Sequence, residues 1–282
     1  MAEAFLGLGG NVGDKAGFIR RAVARLRATP GVDLVETSRL YRSAPVGNVD
    51  QDWFLNAAAR VETRLSPREL LERCLAAEAG LGRRRRERWG PRAIDIDLLL
   101  YDERTIREPG LEIPHPHLTE RAFVLRPLAE LAPGKRIAGR AVEAWLAAVS
   151  DQALEPLLPL ERSQIAAILG ASPKPERFAF QAQRALMEAG HSTIPISPRG
   201  EGILGVPVLP ELGAVEGPID TLAVYVAPHR IEGLADSVVA ARPGRVIFSP
   251  GSESAAAKAR FEAAGLSCLE DCPLRMLREG RF

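Results

Sequence analysis

The sequence predicts two domains of different class, an α+β sandwich followed by a doubly wound α/β domain. Three observations carry that prediction. Over the first 150 residues strands and helices follow in the order βαββαβ, which favours an antiparallel sheet with helices on one face, a ferredoxin-like sandwich. From residue 165 short apolar strands alternate with helices, the pattern of a small Rossmann-like parallel sheet. Between them SDQALEPLLPLERSQ (150–164) holds Pro156 and Pro159, which remove donors and favour extended chain. The expected division is 1–155, a linker at 156–163, and 164–282. A chain of 282 residues is comfortable for two such domains.

The elements follow in order. A short apolar strand spans 4–8. Residues 15–27 form a helix with Phe18, Ile19, Ala22, Val23 and Leu26 on one face. VDLVETSRLYR (32–42) alternates like a strand, and 56–64 is another. Ser66-Pro-Arg-Glu69 opens a helix, with Ser as N-cap, Pro at the first helical position and Glu69 closing a capping box. Leu70, Leu71, Cys74 and Leu75 are its buried face, so Cys74 reads as a core thiol. A strand covers 94–101 and a helix 120–130. In the second part strands are predicted at 165–169, 193–196, 221–226, 245–248 and 267–269. Helices are predicted at 178–189, 231–241 and 253–264.

Composition narrows the function classes. Basic and acidic groups number 37 and 36, a net charge of +1, so no bulk field draws the chain to nucleic acid or membrane. Three cysteines exclude a disulfide framework and suit a reducing compartment. Cys268 and Cys272 are not spaced as a redox C-x-x-C pair. No apolar run reaches the ~18 residues of a membrane span. The start MAEAFLGLGG lacks the basic region of a signal peptide. A cytoplasmic location is the expectation.

GLGGNVG (7–13) imitates a dinucleotide fingerprint, but Val12 stands where G-x-G-x-x-G needs glycine. A tight strand-to-helix turn is the plainer reading. The informative stretch is GRRRRERWGPRAIDIDLLLYD (82–102). Asp95 and Asp97 are two apart on a strand, so both carboxylates share one face, and Ile94, Ile96 and Leu98 take the other. Adjacent like charges call for a neutralising partner, and an oxygen pair suits Mg²⁺ shared with substrate phosphates. Just before the pair, residues 83–92 hold six arginines against one acid, Glu87. Guanidinium forks suit phosphate oxygens. Loop and carboxylates together are what phosphoryl transfer requires. His115 and His117 have no further His or Cys nearby, so a substrate-contacting imidazole is favoured over zinc. YRSAPVG (41–47) and WFLNA (53–57) bring aromatic faces and an amide together, which suits a flat heterocycle, although Trp53, Phe54 and Phe123 read equally well as core.

At this point the motifs LGLGGNVGD, LYRSAPVG, FLNAA, RWGPR-x-x-D-x-D and IPHPHLTERAFVLRPLAEL carry a resemblance. Residues 1 to about 150 resemble the 6-hydroxymethyl-7,8-dihydropterin pyrophosphokinase family of folate biosynthesis. The resemblance implies transfer of a pyrophosphoryl group from ATP to the pterin hydroxymethyl, releasing AMP, with two Mg²⁺ on the triphosphate. It implies Asp95 and Asp97 as Mg²⁺ ligands and Arg83 and Arg92 as catalytic arginines. Arg85, Trp89, Arg92, Leu98, His115 and Arg121 would contact ATP. Ser43, Val46, Phe54, Asn56 and Phe123 would contact the pterin, the two phenylalanines sandwiching it. The arginine loop is one residue shorter than in some relatives, which leaves open which of Arg83–Arg86 takes which role.

ILGASPKPER (168–177), ISPRGEGILG (196–205), IDTLAV (219–224) and EDCPL (270–274) are similar to the small CoA-binding domain family over residues 163–282. That resemblance implies Gly170, Ala171, Ser172, Pro198 and Arg199 as contacts to CoA or a related nucleotide. VIFSPGSE (246–253) departs from the family's usual version, which carries tryptophan and glutamine. Two rival classes remain beside the enzyme. One is a nucleic-acid-binding module using the arginine loop, which the near-zero net charge disfavours. The other is a CoA-dependent sensor with an inactive first domain, which the intact D-x-D and both loop arginines disfavour.

Overall fold

The computed structural model describes residues 1–45, 50–83 and 90–282, and the chain divides into two compact units, Met1–Arg162 and Ser163–Phe282. In the first unit β1 (Ala2–Gly10) leads into α1 (Lys15–Arg27), β2 (Val32–Thr37), β3 (Arg39–Ser43), β4 (Phe54–Thr63) and α2 (Pro67–Gly80). β5 (Asp95–Tyr101) follows, then a hairpin of β6 (Ile106–Glu108) and β7 (Leu111–Ile113), and α3 (Ala122–Leu131). A second small hairpin, β8 (Arg136–Ile137) and β9 (Arg140–Ala141), precedes α4 (Val142–Ala147) and β10 (Leu154–Pro159).

The main sheet is antiparallel in the order β10-β3-β4-β1-β5, with β2 also on β4. The expected single strand at 32–42 is therefore two. Ser38 is the reason: its Oγ accepts the N–H of Ala58 and donates to the carbonyl of Arg39, so a side chain replaces one rung of the ladder and the chain bends. Helices cover both faces of the sheet, a correction to the single covered face expected. Phe5 and Leu6 are successive residues of β1 and are 1% and 0% exposed. Leu6 and Leu8 pack with Ile19, Leu26, Leu70 and Cys74 of α1 and α2. Phe5 packs with Ala58, Leu99, Leu125 and Leu128 on the α3 side. A strand buried on both faces reads as a continuous apolar run rather than an alternation.

Residues 154–159, which the sequence assigns largely to a linker, are sheet. Leu154, Pro156 and Pro159 align with Ser43, Tyr41 and Arg39 of β3. Among the described residues β10 is an outer strand, where a proline's missing N–H leaves no neighbour unsatisfied. Cys74 is fully buried and burial pushes its thiol up to about 12, as a core residue.

The second unit contains β11 (Ile165–Leu169), α5 (Phe178–Glu188), β12 (Ser192–Ile196), a hairpin of β13 (Gly202–Ile203) and β14 (Val206–Pro207), and β15 (Thr221–Val224). It continues through α6 (Pro228–Gly233), α7 (Ala235–Ala241), β16 (Arg245–Phe248), α8 (Ala255–Ala263), β17 (Ser267–Glu270) and α9 (Pro273–Arg278). The five strands of its main sheet are parallel, in the order β12-β11-β15-β16-β17. Counted within the unit that is 2-1-3-4-5, and the order reverses between β11 and β15. Among the described residues no helix is long and apolar enough to cross a membrane.

The capping box of α2 forms as its sequence predicts. Ser66 Oγ accepts the Glu69 N–H at 3.3 Å, and the Glu69 carboxylate accepts the Ser66 N–H at 2.8 Å. Ser66→Ala should destabilise the first unit by about 1 kcal/mol, and Ser66→Thr by less. All three tryptophans of the chain (Trp53, Trp89, Trp145) lie in that unit, so urea unfolding followed by tryptophan fluorescence measures it selectively.

Candidate active site

The α3 face of the first sheet opens into a cleft. Its floor is main chain. Gly7 and Gly9 of β1 lie opposite Asp97 and Asp95 of β5 on one side, and opposite Ala58 and Asn56 of β4 on the other. A Cβ on Gly9 would sit 2.9 Å from Asn56 Oδ1, so the amide closes over a position that only glycine leaves free. Ser43, Phe54, Asn56, Arg92, Asp95, Asp97, Arg121 and Phe123 all line this cleft. Residues spread over 80 positions of sequence therefore meet because β3, β4, β1 and β5 are consecutive in the sheet.

The polar groups are held from behind. Asn56 Nδ2 donates to Ser43 Oγ at 3.0 Å, and both are buried. Asp95 receives an arginine on each oxygen, Arg83 Nη1 on Oδ1 at 2.5 Å and Arg92 Nε on Oδ2 at 3.3 Å. Burial raises the pKa of Asp97, the charge of Asp95 raises it further, and Arg92, Arg121 and Arg83 oppose both. Arg92 and Arg121 also lie over the two phenylalanines. Their guanidinium carbons are 5.3 Å from the Phe54 ring and 5.7 Å from the Phe123 ring.

His115 is anchored beside β5, its N–H donating to the Leu99 carbonyl. Its ring Nδ1 accepts the His117 N–H at 3.3 Å. Burial, with Arg121 and His117 nearby, pushes the imidazole down to about 4, so it is neutral near pH 7 with Nε2 left to carry the proton. Leu98 is not brought into the cleft. Its side chain is 4% exposed and packs in the core against α1 and α2, because odd and even residues of β5 face opposite ways. Val46, Arg85 and Trp89 lie outside the described residues.

Two buried residues that the sequence reading did not single out organise the cleft. Asn11 Nδ2 donates to Gln51 Oε1 at 2.9 Å and to the Asp52 carbonyl at 3.3 Å. Its Oδ1 accepts the Arg92 N–H, and its own N–H donates to the Arg92 carbonyl, both at 2.9 Å. Glu78 of α2 pairs with Arg83 and accepts the Ile96 N–H. Burial raises the Glu78 pKa. A polar residue at the end of an apolar strand (Asn11), and an acid on the buried face of a helix (Glu78), were the available signals. Trp53 lies between Lys15 Nζ at 3.8 Å and the Arg42 guanidinium at 4.8 Å, packed against the core.

Asp95 and Asp97 fit a divalent cation by donor chemistry. Two carboxylates share one face of β5, and a cation would relieve the repulsion and desolvation that raise Asp97. No group of three or more acidic, His or Cys ligands occurs among the described residues.

The second unit has a larger cleft at the carboxyl ends of β11 and β15, where the strand order reverses. Gly170, Ala171, Pro198 and Arg199 line it. Gly170 has φ +90°, and a Cβ there would lie 2.9 Å from the Tyr225 carbonyl oxygen. Ser172 is not among the lining residues, and its hydroxyl accepts the Lys174 N–H at 3.3 Å. His229 and Arg230, at the start of α6, line the cleft without having been anticipated.

Comparison with known proteins follows the same division. The profile of the 7,8-dihydro-6-hydroxymethylpterin-pyrophosphokinase family matches residues 5–133, and that of the CoA binding domain matches 164–278. A 2-amino-4-hydroxy-6-hydroxymethyldihydropteridine pyrophosphokinase of Methylorubrum extorquens is 51% identical over 155 residues, 55% of this chain and 98% of that protein. The Bacillus subtilis protein of the same name is 45% identical over 128 residues, 45% of this chain and 77% of its own. A solved Thermus thermophilus protein, cell-free ID.343, is 27% identical, covering 43% of this chain and 92% of its own at a TM-score of 0.41.

The depressed His115 pKa sets a direction for stability. Between about pH 4 and 6.5 the unfolded chain holds a proton that the folded imidazole rejects. The cost of that mismatch is absent above pH 6.5 and grows as pH falls toward 4. His115→Gln should therefore flatten the acid side of the urea-stability profile. In the wild-type protein the His115 ring resonances should titrate near pH 4. A midpoint at 6 or above would contradict the half-buried, arginine-flanked environment.

Proposed function

The chain belongs to the 7,8-dihydro-6-hydroxymethylpterin-pyrophosphokinase family, and we propose how its cleft residues divide the work of pyrophosphoryl transfer from ATP to the pterin hydroxymethyl in folate biosynthesis. The observation that carries the reading is the single cleft in which two carboxylates, two arginines and two phenylalanines converge on a glycine floor.

Phe54 and Phe123 flank the flat pterin ring, and Asn56 with Ser43 meets its polar edge. Asp95 and Asp97 would hold Mg²⁺, with two ions per site as the working count. When bound there, Mg²⁺ would supply positive charge that neutralises the triphosphate. The hydroxymethyl oxygen bonds to the β-phosphorus of ATP, the bond from that phosphorus to the α,β-bridging oxygen breaks so that AMP leaves, and the hydroxyl proton passes to solvent. Arg92 and Arg83 lie beside Asp95, within reach of charge that develops on the transferring group. Neutral His115 offers an Nε2–H to an ATP oxygen without adding charge. Arg121, partly buried beside Phe123, binds the phosphates. Asp97 is a poor general base in this scheme because a metal-bound carboxylate holds protons weakly.

Under the same reading the first unit is an elaborated ferredoxin-like sandwich and the second a Rossmann-like domain. The βαββαβ beginning and the parallel order 2-1-3-4-5 support those names. The second cleft takes CoA or a related nucleotide, with Gly170 and Ala171 offering main chain at the switch point and Arg199 a charge for phosphate.

The purified full chain with Mg²⁺, ATP and 6-hydroxymethyl-7,8-dihydropterin should release AMP. Release of ADP, or AMP release undiminished in Asp97→Ala, would overturn the assignment. Arg92→Ala should lower kcat by about 10²-fold and change ATP affinity far less, as for a group acting in the transition state. For the second unit, calorimetric titration with CoA should show binding that Arg199→Ala weakens. No heat and no thermal shift would remove that ligand.

A further inference from the structure

Glu78 has no part in the scheme above, yet local energetics count against an acid at its position. It lies in the last turn of α2, where a carboxylate faces the negative end of the helix dipole. That turn carries no basic residue, and Glu78 is only 3% exposed. A buried charge persists only where partners meet it.

Two partners do so. One oxygen accepts the main-chain N–H of Ile96 at 2.6 Å. Among the described residues β5 is the outer strand, so its outward N–H groups face no neighbouring strand. Glu78 takes that place at the residue between Asp95 and Asp97. The other oxygen pairs with Arg83, and the same Arg83 nitrogen reaches Asp95 Oδ1 at 2.5 Å. One buried carboxylate thus holds both the backbone under the acidic pair and the first arginine of the loop.

We propose that Glu78 is a positioning residue for pyrophosphoryl transfer, fixing the Asp95-Ile96-Asp97 segment and the Arg83 guanidinium relative to one another without touching substrate. This deepens the pyrophosphokinase reading and rests on it. Small displacements of reacting groups are costly to rate even when fold and binding survive. A residue of purely structural value would change melting temperature and substrate affinity along with turnover.

The full-length Glu78→Gln variant keeps an oxygen for the Ile96 amide and loses the charge opposite Arg83. Its Ile96 amide should stay protected from hydrogen exchange and its KM for ATP should stay within about threefold of wild type, while kcat falls about tenfold. In an Arg83→Ala background the same substitution should change kcat by less than about twofold, because both residues act through one contact. Glu78→Ala should free the Ile96 amide to exchange while Leu6, in the same sheet, stays protected. Should Glu78→Ala fail to fold, Glu78→Gln and the double-variant comparison decide. A Glu78→Gln kcat within about twofold of wild type, or an equal loss in both Arg83 backgrounds, overturns the proposal. A wild-type chain that released no AMP would overturn the pyrophosphokinase reading instead, and Ile96 exchange would still report whether Glu78 holds the strand.

Discussion

The first unit is organised around one constraint, the two-residue period of β5, which sets Asp95 and Asp97 side by side on the same face of the sheet. Two like charges in that position destabilise the fold unless their surroundings answer them. Arg83 and Arg92 sit on the two oxygens of Asp95, and Arg121 contributes across the cleft. The opposite face of the same strand buries Ile96 and Leu98 in the core with α1 and α2. A slip of one residue would bury both carboxylates and expose both aliphatic side chains, so the core that stabilises the unit also fixes where its acids point.

The neighbouring strand answers the same constraint by omission. Gly7 and Gly9 stand beside Asp97 and Asp95 and present no side chain to the cleft. The space they leave belongs to the same cleft that Phe54 and Phe123 line, each carrying an arginine on its face. Arg92 and Arg121 therefore serve apolar and ionic partners together. Guanidinium does this better than ammonium because it is planar and weakly hydrated. Burial, with Arg121 and His117 nearby, keeps His115 neutral, so its ring adds no further charge beside β5.

The second unit forms its cleft by a different route. Parallel strands send their connections to either side of the sheet, and where the order reverses the loops part. Gly170 turns the chain away from β11 with a positive φ, and the β13–β14 hairpin leads off from the Pro198–Arg199 segment that borders the same cleft. No single charged pair dominates the lining; the cleft is made by topology.

The sequence alone carried the chemistry where it is local. The i, i+2 carboxylates, the six arginines ahead of them, the capping box at Ser66 and the glycine after β11 each follow from spacing along a few residues. Residue type in 41–47 and 53–57 suggested a flat heterocycle, but the separate roles of Ser43, Phe54, Asn56 and Phe123 came through motif resemblance, because nothing in their spacing says that β3, β4 and α3 meet around β1. Tertiary structure decided what depends on distant partners. It put helices on both faces of the first sheet, split the strand at Ser38, and took residues 154–159 into the sheet edge, where prolines are harmless. It also buried Leu98 away from the cleft and gave Asn11 and Glu78 their roles. A buried amide or carboxylate looks unremarkable in a sequence, since its meaning lies in the Arg92 main chain and the Ile96 N–H that folding brings to it. Local periodicity dictates which way a side chain points, but only the packed fold supplies what it points at.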